Sequence, residues 1–136
     1  MLFEVSAQYS YQDHNESTDL GTKSAADVLK CFDEFDWEHE VSEATRLGKV
    51  SPTLSVEDKV GQRLIWVSGY SNPKFPSFVS DCTFPGMAKR FFGLLGEGMG
   101  VVELHTEGFN TLQARQALEF FVTNDEAALR QLYQAA

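Results

Sequence analysis

The sequence lacks the features that mark several large classes of protein. Its 136 residues include only two cysteines, four prolines and three histidines. No uncharged apolar run approaches the roughly 20 residues that a membrane helix needs. The N-terminus has neither a basic start nor a long apolar stretch. We therefore expect no membrane segment, no signal peptide and no disulfide framework, and we expect a cytoplasmic protein with reduced thiols.

Basic residues are also scarce. Eleven Lys and Arg stand against twenty Asp and Glu, which gives a net charge of −9. Because Lys and Arg neutralise the phosphates of nucleic acids and of anionic membranes, this balance disfavours both as partners. It favours a basic protein partner. The first 49 residues hold eleven acids and four bases, whereas residues 50–136 hold nine and seven.

Hydrophobic residues make up 43% of the chain, and eleven of them are phenylalanines, enough for one core. We expect a single α+β domain over residues 1–136, with a mainly antiparallel sheet of about five strands covered by helices. Apolar and polar residues alternate in residues 3–11, 54–56 and 78–84, and residues 63–70 are rich in β-branched and aromatic residues. The expected strands are residues 3–11, a hairpin formed by residues 54–56 and 63–70, and residues 78–84 and 99–106.

Helical spacing of apolar residues predicts the remaining elements. A first helix follows Ser24, and a second spans about residues 37–47, between a cap at Asp36 and a stop at Gly48. The break is needed because Phe32 and Trp37 belong to two apolar stripes about 150° apart at 100° per residue. Three more helices are predicted: one with Met87, Phe91 and Leu94, one with Ala114, Ala117, Leu118 and Phe121, and one capped by Asn124 or Asp125.

The sequence contains no evident cluster of residues typical of a metal, phosphate-binding or catalytic site. His14, His39 and His105 do not pair at metal-binding spacing. The glycines of residues 93–100 precede a strand, so they predict a turn and not a phosphate-binding loop. We expect no metal, no cofactor and no enzymatic activity.

The most unusual local feature is an acidic segment, residues 33–43. Like charges at helical spacing destabilise a helix, so such a run indicates either a solvated face or a surface that binds a basic partner. Trp37 lies within it, and tryptophan beside charged residues is typical of binding hot spots, although Trp37 also fits the apolar stripe with Val41. The candidate partner-binding residues are Asp33, Glu34, Asp36, Trp37, Glu38, Glu40 and Glu43.

Three stretches carry a resemblance to a known family. They are Ser-Pro-Thr-Leu-Ser-Val at 51–56, Trp-Val-Ser-Gly at 66–69, and a helix with Leu112, paired alanines and Phe121. Residues 51–122 resemble the small α+β immunity proteins of bacterial polymorphic toxin systems, particularly the family often paired with nucleic-acid deaminase toxins. The resemblance implies an inhibitor that binds a cognate toxin and blocks its active site, without catalytic residues of its own. The alternatives are an effector chaperone or adaptor, and a small-molecule-binding α+β domain.

Overall fold

The computed structural model describes residues 1–71, 76–89 and 97–136 and has an α+β architecture. Its strands are β1 (Leu2–Gln8), β2 (Thr18–Ser24), β3 (Thr53–Asp58), β4 (Arg63–Tyr70), β5 (Ser77–Lys89) and β6 (Glu97–Phe109). Its helices are α1 (Ala25–Glu34), α2 (Trp37–Leu47), α3 (Thr111–Val122) and α4 (Glu126–Ala135). The strands form one antiparallel sheet in the order β2-β1-β3-β4-β5-β6. The predicted fold class is confirmed, with six strands in place of about five.

The helices cover one face of the sheet. Along β1, Phe3, Val5 and Ala7 are buried as the alternation predicts, and they share a core with Leu118 and Phe121 of α3. The alternate residues of each strand point away from the helices to the other face, because successive strand side chains lie on opposite sides. We call this side, which none of the described helices covers, the open sheet face.

The helix boundaries follow from capping residues. The Ser24 hydroxyl accepts a hydrogen bond from the Asp27 backbone N–H at 3.2 Å, and the Asp36 carboxylate accepts one from the His39 N–H at 3.3 Å. Gly48 ends α2 with φ of 65°, a left-handed conformation that favours glycine. The predicted break between the first two helices is therefore confirmed.

Two local predictions need correction. No strand was expected between residue 11 and the helix that follows Ser24, but Thr18–Ser24 form the edge strand β2. Met87 was expected to lie in a short helix but lies in β5, and residues 97–100, expected to belong to a glycine-rich turn, lie in β6. Residues 90–96, the remainder of that helix and turn, lie outside the described residues.

One buried ion pair joins the sheet to α3. Arg63 Nε lies 3.0 Å from Asp58 Oδ2, and both side chains are about 95% buried or more. Arg63 Nη1 donates a hydrogen bond to the carbonyl oxygen of Phe121 at 2.9 Å, and the guanidinium lies 4.6 Å from the centre of the Phe121 ring. Asp58 also accepts a hydrogen bond from the Gly61 N–H in the β3–β4 turn. The turn and the end of α3 are thus held by one charged pair.

Candidate partner-binding surfaces

The acidic segment lies at the end of α1 and along α2, and its first carboxylate is already paired. Asp33 accepts two hydrogen bonds from Arg115 of α3, at 2.8 Å from Nε and 3.0 Å from Nη2. The hydrogen bond from Arg115 holds the pKa of Asp33 below its ordinary value. A bidentate pair of this kind fixes both side chains and neutralises the charge that Asp33 shows to solvent.

Further acids of the segment have local partners. Glu34 lies 3.6 Å from Lys30 one turn earlier, and Glu43 forms an ion pair with Arg46. The hydrogen bond from Arg46 lowers the pKa of Glu43. The Asp36 carboxylate caps α2 and is therefore engaged in a hydrogen bond with the helix backbone.

Glu40 has a structural partner as well. Its carboxylate accepts hydrogen bonds from the backbone N–H of Ser10 at 2.9 Å and from the Ser10 hydroxyl at 3.0 Å. Glu40 thereby fixes the chain that leaves β1. Glu38 is exposed and, within the described part of the chain, forms no hydrogen bond or ion pair.

Trp37 belongs to the core. Only 7% of the residue is exposed, and its indole N–H donates a hydrogen bond to the carbonyl oxygen of Phe32 at 3.1 Å. Its ring packs edge-on against Phe78 of β5, with 5.0 Å between ring centres. The sequence left two roles open for Trp37, that of a core residue and that of an exposed binding residue. The structure shows the core residue, so the ring is not an exposed contact of the acidic segment.

The open sheet face is a second acidic surface. The register places Glu4 beside Glu57, Ser6 beside Asp19, and Thr83 beside Glu103. Its described carboxylates come from five of the six strands and are Glu4, Asp19, Glu57, Asp81, Glu103 and Glu107. The sequence analysis missed this surface because these acids are scattered between residues 4 and 107 of the sequence, and only strand pairing brings them together.

Trp66 lies near the middle of the open sheet face. It is paired across the sheet with Ser55 of β3 on one side and Asp81 of β5 on the other. The ring is half-buried, and its neighbours along β4 on the same face are Leu64 and Ser68. Ile65 and Val67 are fully buried on the opposite side. Because residues 64–67 are all apolar, the sequence alone carried no signal for this orientation.

A histidine and a carboxylate are paired on the same face. His105 Nδ1 hydrogen-bonds to the Asp81 carboxylate, and His105 Nε2 lies 3.8 Å from Glu107. The hydrogen bond to Asp81 raises the pKa of His105 above its ordinary value. The raised pKa favours the protonated ring, so His105 offsets part of the negative charge of this face.

A depression of about 320 Å³ lies on the open sheet face across β2, β1 and β3. Small residues, among them Ser6, Gly21 and Ser55, leave this space, and the carboxylates Glu4, Asp19 and Glu57 border it. Lys59 also lines it, with its ammonium 2.8 Å from Glu4. Several described lysine and arginine side chains form ion pairs, and among these only Lys59 lies on the open sheet face.

The groups available for covalent or metal chemistry are few. Burial raises the pKa of the Cys82 thiol to about 12 and also raises the pKa of Cys31, so both thiols are protonated at neutral pH. Across residues 1–71, 76–89 and 97–136, no group of three His, Cys, Asp or Glu side chains is placed to hold a metal ion. No helix among these residues has the length and hydrophobicity that crossing a membrane requires.

Comparison of the chain with protein-family models, with curated proteins and with solved structures found no match in any of the three.

Proposed function

We propose that this protein is an immunity protein, which binds a cognate toxin with a basic surface and covers its active site. The observation that carries the proposal is the unbalanced charge of the open sheet face. Among the side chains that the structure describes on this face, six carboxylates stand against the cations Lys59 and His105. The resemblance of residues 51–122 to immunity proteins supports the same function.

The chemistry of the target explains why negative charge is useful. A toxin that acts on nucleic acid needs a positively charged cleft, because phosphate contacts supply most of the affinity for such substrates. An acidic protein surface is complementary to that cleft and competes with the nucleic acid for it. Complementary charge also raises association rates from about 10⁵–10⁶ M⁻¹s⁻¹ toward about 10⁸–10⁹ M⁻¹s⁻¹ at low salt. Fast capture is what an inhibitor of a toxin requires.

The proposal places the protein in the cytoplasm, where such a toxin would meet its substrate. Cys31 and Cys82 are both free thiols, as expected for a reducing compartment.

The proposal is tested with the toxin domain encoded by the reading frame beside this gene. Cells that express the toxin domain should survive when this protein is co-expressed, and the purified proteins should form a stable complex. The association rate should fall about tenfold or more between about 50 and 500 mM salt, because salt screens the attraction between charged surfaces.

The control is a basic protein of unrelated function, such as cytochrome c, which should associate weakly and form no stable complex. A toxin that stays free and active beside an excess of this protein at low salt contradicts the proposal.

A further inference from the structure

We infer that the open sheet face, and not the acidic segment, is the surface that receives the basic partner, with Trp66 at the centre of the contact. This inference rests on the proposed function, because it names the surface through which that function is performed. Four observations carry it: the charge, the size of the face, the position of Trp66 and the position of Lys59.

The charge identifies the occupant as a basic protein surface. Carboxylates such as Glu57 and Glu103 are exposed on the face, and neither forms a hydrogen bond or a close ion pair with a described side chain. A second copy of this chain would bring the same acids against them, and like charges across an interface cost several kcal/mol. Nucleic acids and anionic membranes are repelled for the same reason.

The size of the face suits a protein contact. Six strands about 4.8 Å apart span about 24 Å, and seven residues rise about 23 Å, so the projected area is about 550 Å². Side chains add relief to this area, which brings it near the roughly 800 Å² that each partner contributes to a standard interface. Because the strands are hydrogen-bonded into one sheet, the face needs no rearrangement before binding.

Trp66 supplies the apolar centre that a charged surface needs for slow dissociation. Its cross-strand neighbour Ser55 and its strand neighbour Ser68 are small, so part of the ring surface is accessible. A tryptophan face attracts Lys and Arg side chains through its ring quadrupole, and tryptophan is enriched among binding hot spots. The acids around it form the polar rim of such a contact.

Lys59 competes with the basic side chains of the partner for the carboxylates that border the depression. Its ammonium pairs with Glu4 at the edge of the depression, where a Lys or Arg of a basic partner would find Glu4, Asp19 and Glu57. The partner must displace or avoid this ammonium when it docks. Removing Lys59 is therefore expected to strengthen binding, which is the opposite of the usual effect of deleting a surface ion pair.

The inference is tested by binding kinetics with the neighbouring toxin domain and matched pairs of variants. Glu57→Gln/Glu103→Gln removes two charges from the open sheet face, and Glu34→Gln/Glu38→Gln removes two from the acidic segment. At low salt the first variant should associate about five- to tenfold more slowly, and the second should stay within about twofold of the parent.

Two further pairs test the centre and the competitor. Trp66→Ala should dissociate about tenfold faster or more, while Trp66→Phe should retain much of the parental lifetime. Lys59→Ala should associate about twofold faster than the parent. The matched control is Lys49→Ala, because Lys49 forms an ion pair with Asp13 away from the open sheet face, and this variant should not associate faster. An unchanged circular dichroism spectrum and a cooperative unfolding transition well above the assay temperature show that each variant is folded.

The outcomes separate the inference from the proposed function. Tight toxin binding that is lost in Glu34→Gln/Glu38→Gln and kept in Glu57→Gln/Glu103→Gln overturns the inference and leaves the function intact. Failure of the parent protein to bind the toxin overturns both. A titration of the ¹⁵N-labelled protein with a tetra-arginine peptide locates the cation-binding face without the toxin, and shifts confined to residues 33–43 would contradict the inference.

Discussion

The acidic segment and the open sheet face differ in how much of their charge reaches solvent. In the segment, Asp33 is bound by Arg115, which lies 82 residues away in the sequence, and Glu43 is bound by Arg46. On the open sheet face, Glu57 and Glu103 have no such partners among the described residues. A dense acidic run in a sequence is thus a poor guide to a charged surface, because the fold determines which lysine and arginine side chains lie beside it.

The two tryptophans show the same difference. Trp37 belongs to the segment by sequence but lies in the core, whereas Trp66 is surrounded by apolar residues in sequence but lies on the open sheet face. The strand register assigns Trp66 to the open sheet face, and the packing of α2 on the sheet assigns Trp37 to the core.

The largest expected effect separates these two rings. Trp37→Ala should lower the free energy of unfolding by about 3–5 kcal/mol, because a buried aromatic is removed from a close-packed core. Trp66→Ala should cost less, about 1 kcal/mol, because Trp66 lies on the solvent side of the sheet and is only partly buried. Urea denaturation followed by circular dichroism measures both. Equal losses for the two variants would contradict the assignment of the rings.

The second largest effect is expected when the buried ion pair of Asp58 and Arg63 is broken. Asp58→Asn leaves Arg63 buried without its counter-charge, so we expect a loss of stability of about 3 kcal/mol. Hydrogen bonds from the Gly61 N–H and from Arg63 lower the pKa of Asp58. The stability that this carboxylate contributes is therefore present above its unfolded pKa of about 3.9, and is lost as pH falls through the lower folded pKa.

The matching measurement is the free energy of unfolding from pH 7 to pH 2 for the parent and Asp58→Asn. The variant should lose less stability over the acidic range. Parallel curves would show that Asp58 has the same pKa in the folded and unfolded states.

The exposed pair in the acidic segment should matter much less. A double-mutant cycle with Asp33→Asn and Arg115→Gln should give a coupling energy of about 0.2–1 kcal/mol, since both side chains remain partly exposed. A coupling energy as large as that of the buried pair would mean that this contact is part of the structural framework.

The smallest effect concerns His105 on the open sheet face. Because the hydrogen bond to Asp81 raises the pKa of His105, the stabilisation is present below the ordinary pKa of about 6.5 and is lost as pH rises through the folded value. We expect less than about 1 kcal/mol for this exposed pair. A titration of the ring protons by NMR should show a lower pKa in Asp81→Asn than in the parent.

Much of the fold was predictable because it depends on local chemistry. Ser24, Asp36 and Gly48 mark helix boundaries through caps that form within a few residues. Leu118 and Phe121 lie on one helical stripe, and both are fully buried as predicted. Such features need no knowledge of distant parts of the chain.

The errors arose where distant partners decide the structure. The edge strand β2 has no apolar alternation, contains Gly21 at φ of 87°, and forms because β1 pairs with it across a bulge. Met87 has helical spacing to later apolar residues, yet pairing with β6 extends β5 through it. The open sheet face depends on all five strand registers, so no single stretch of sequence indicates it.

The contact of Arg63 with the end of α3 has a consequence for synthesis on the ribosome. All six strands, together with α1 and α2, precede α3 and α4 in the chain, so Phe3 and the guanidinium of Arg63 emerge before the part of the helix layer that α3 supplies. Only when Phe121 is synthesised does that cation gain its carbonyl and its aromatic ring. A chain that terminates before residue 111 would therefore expose the part of the apolar sheet face that α3 and α4 cover, with a partly satisfied arginine, which is the kind of intermediate that aggregates or recruits chaperones.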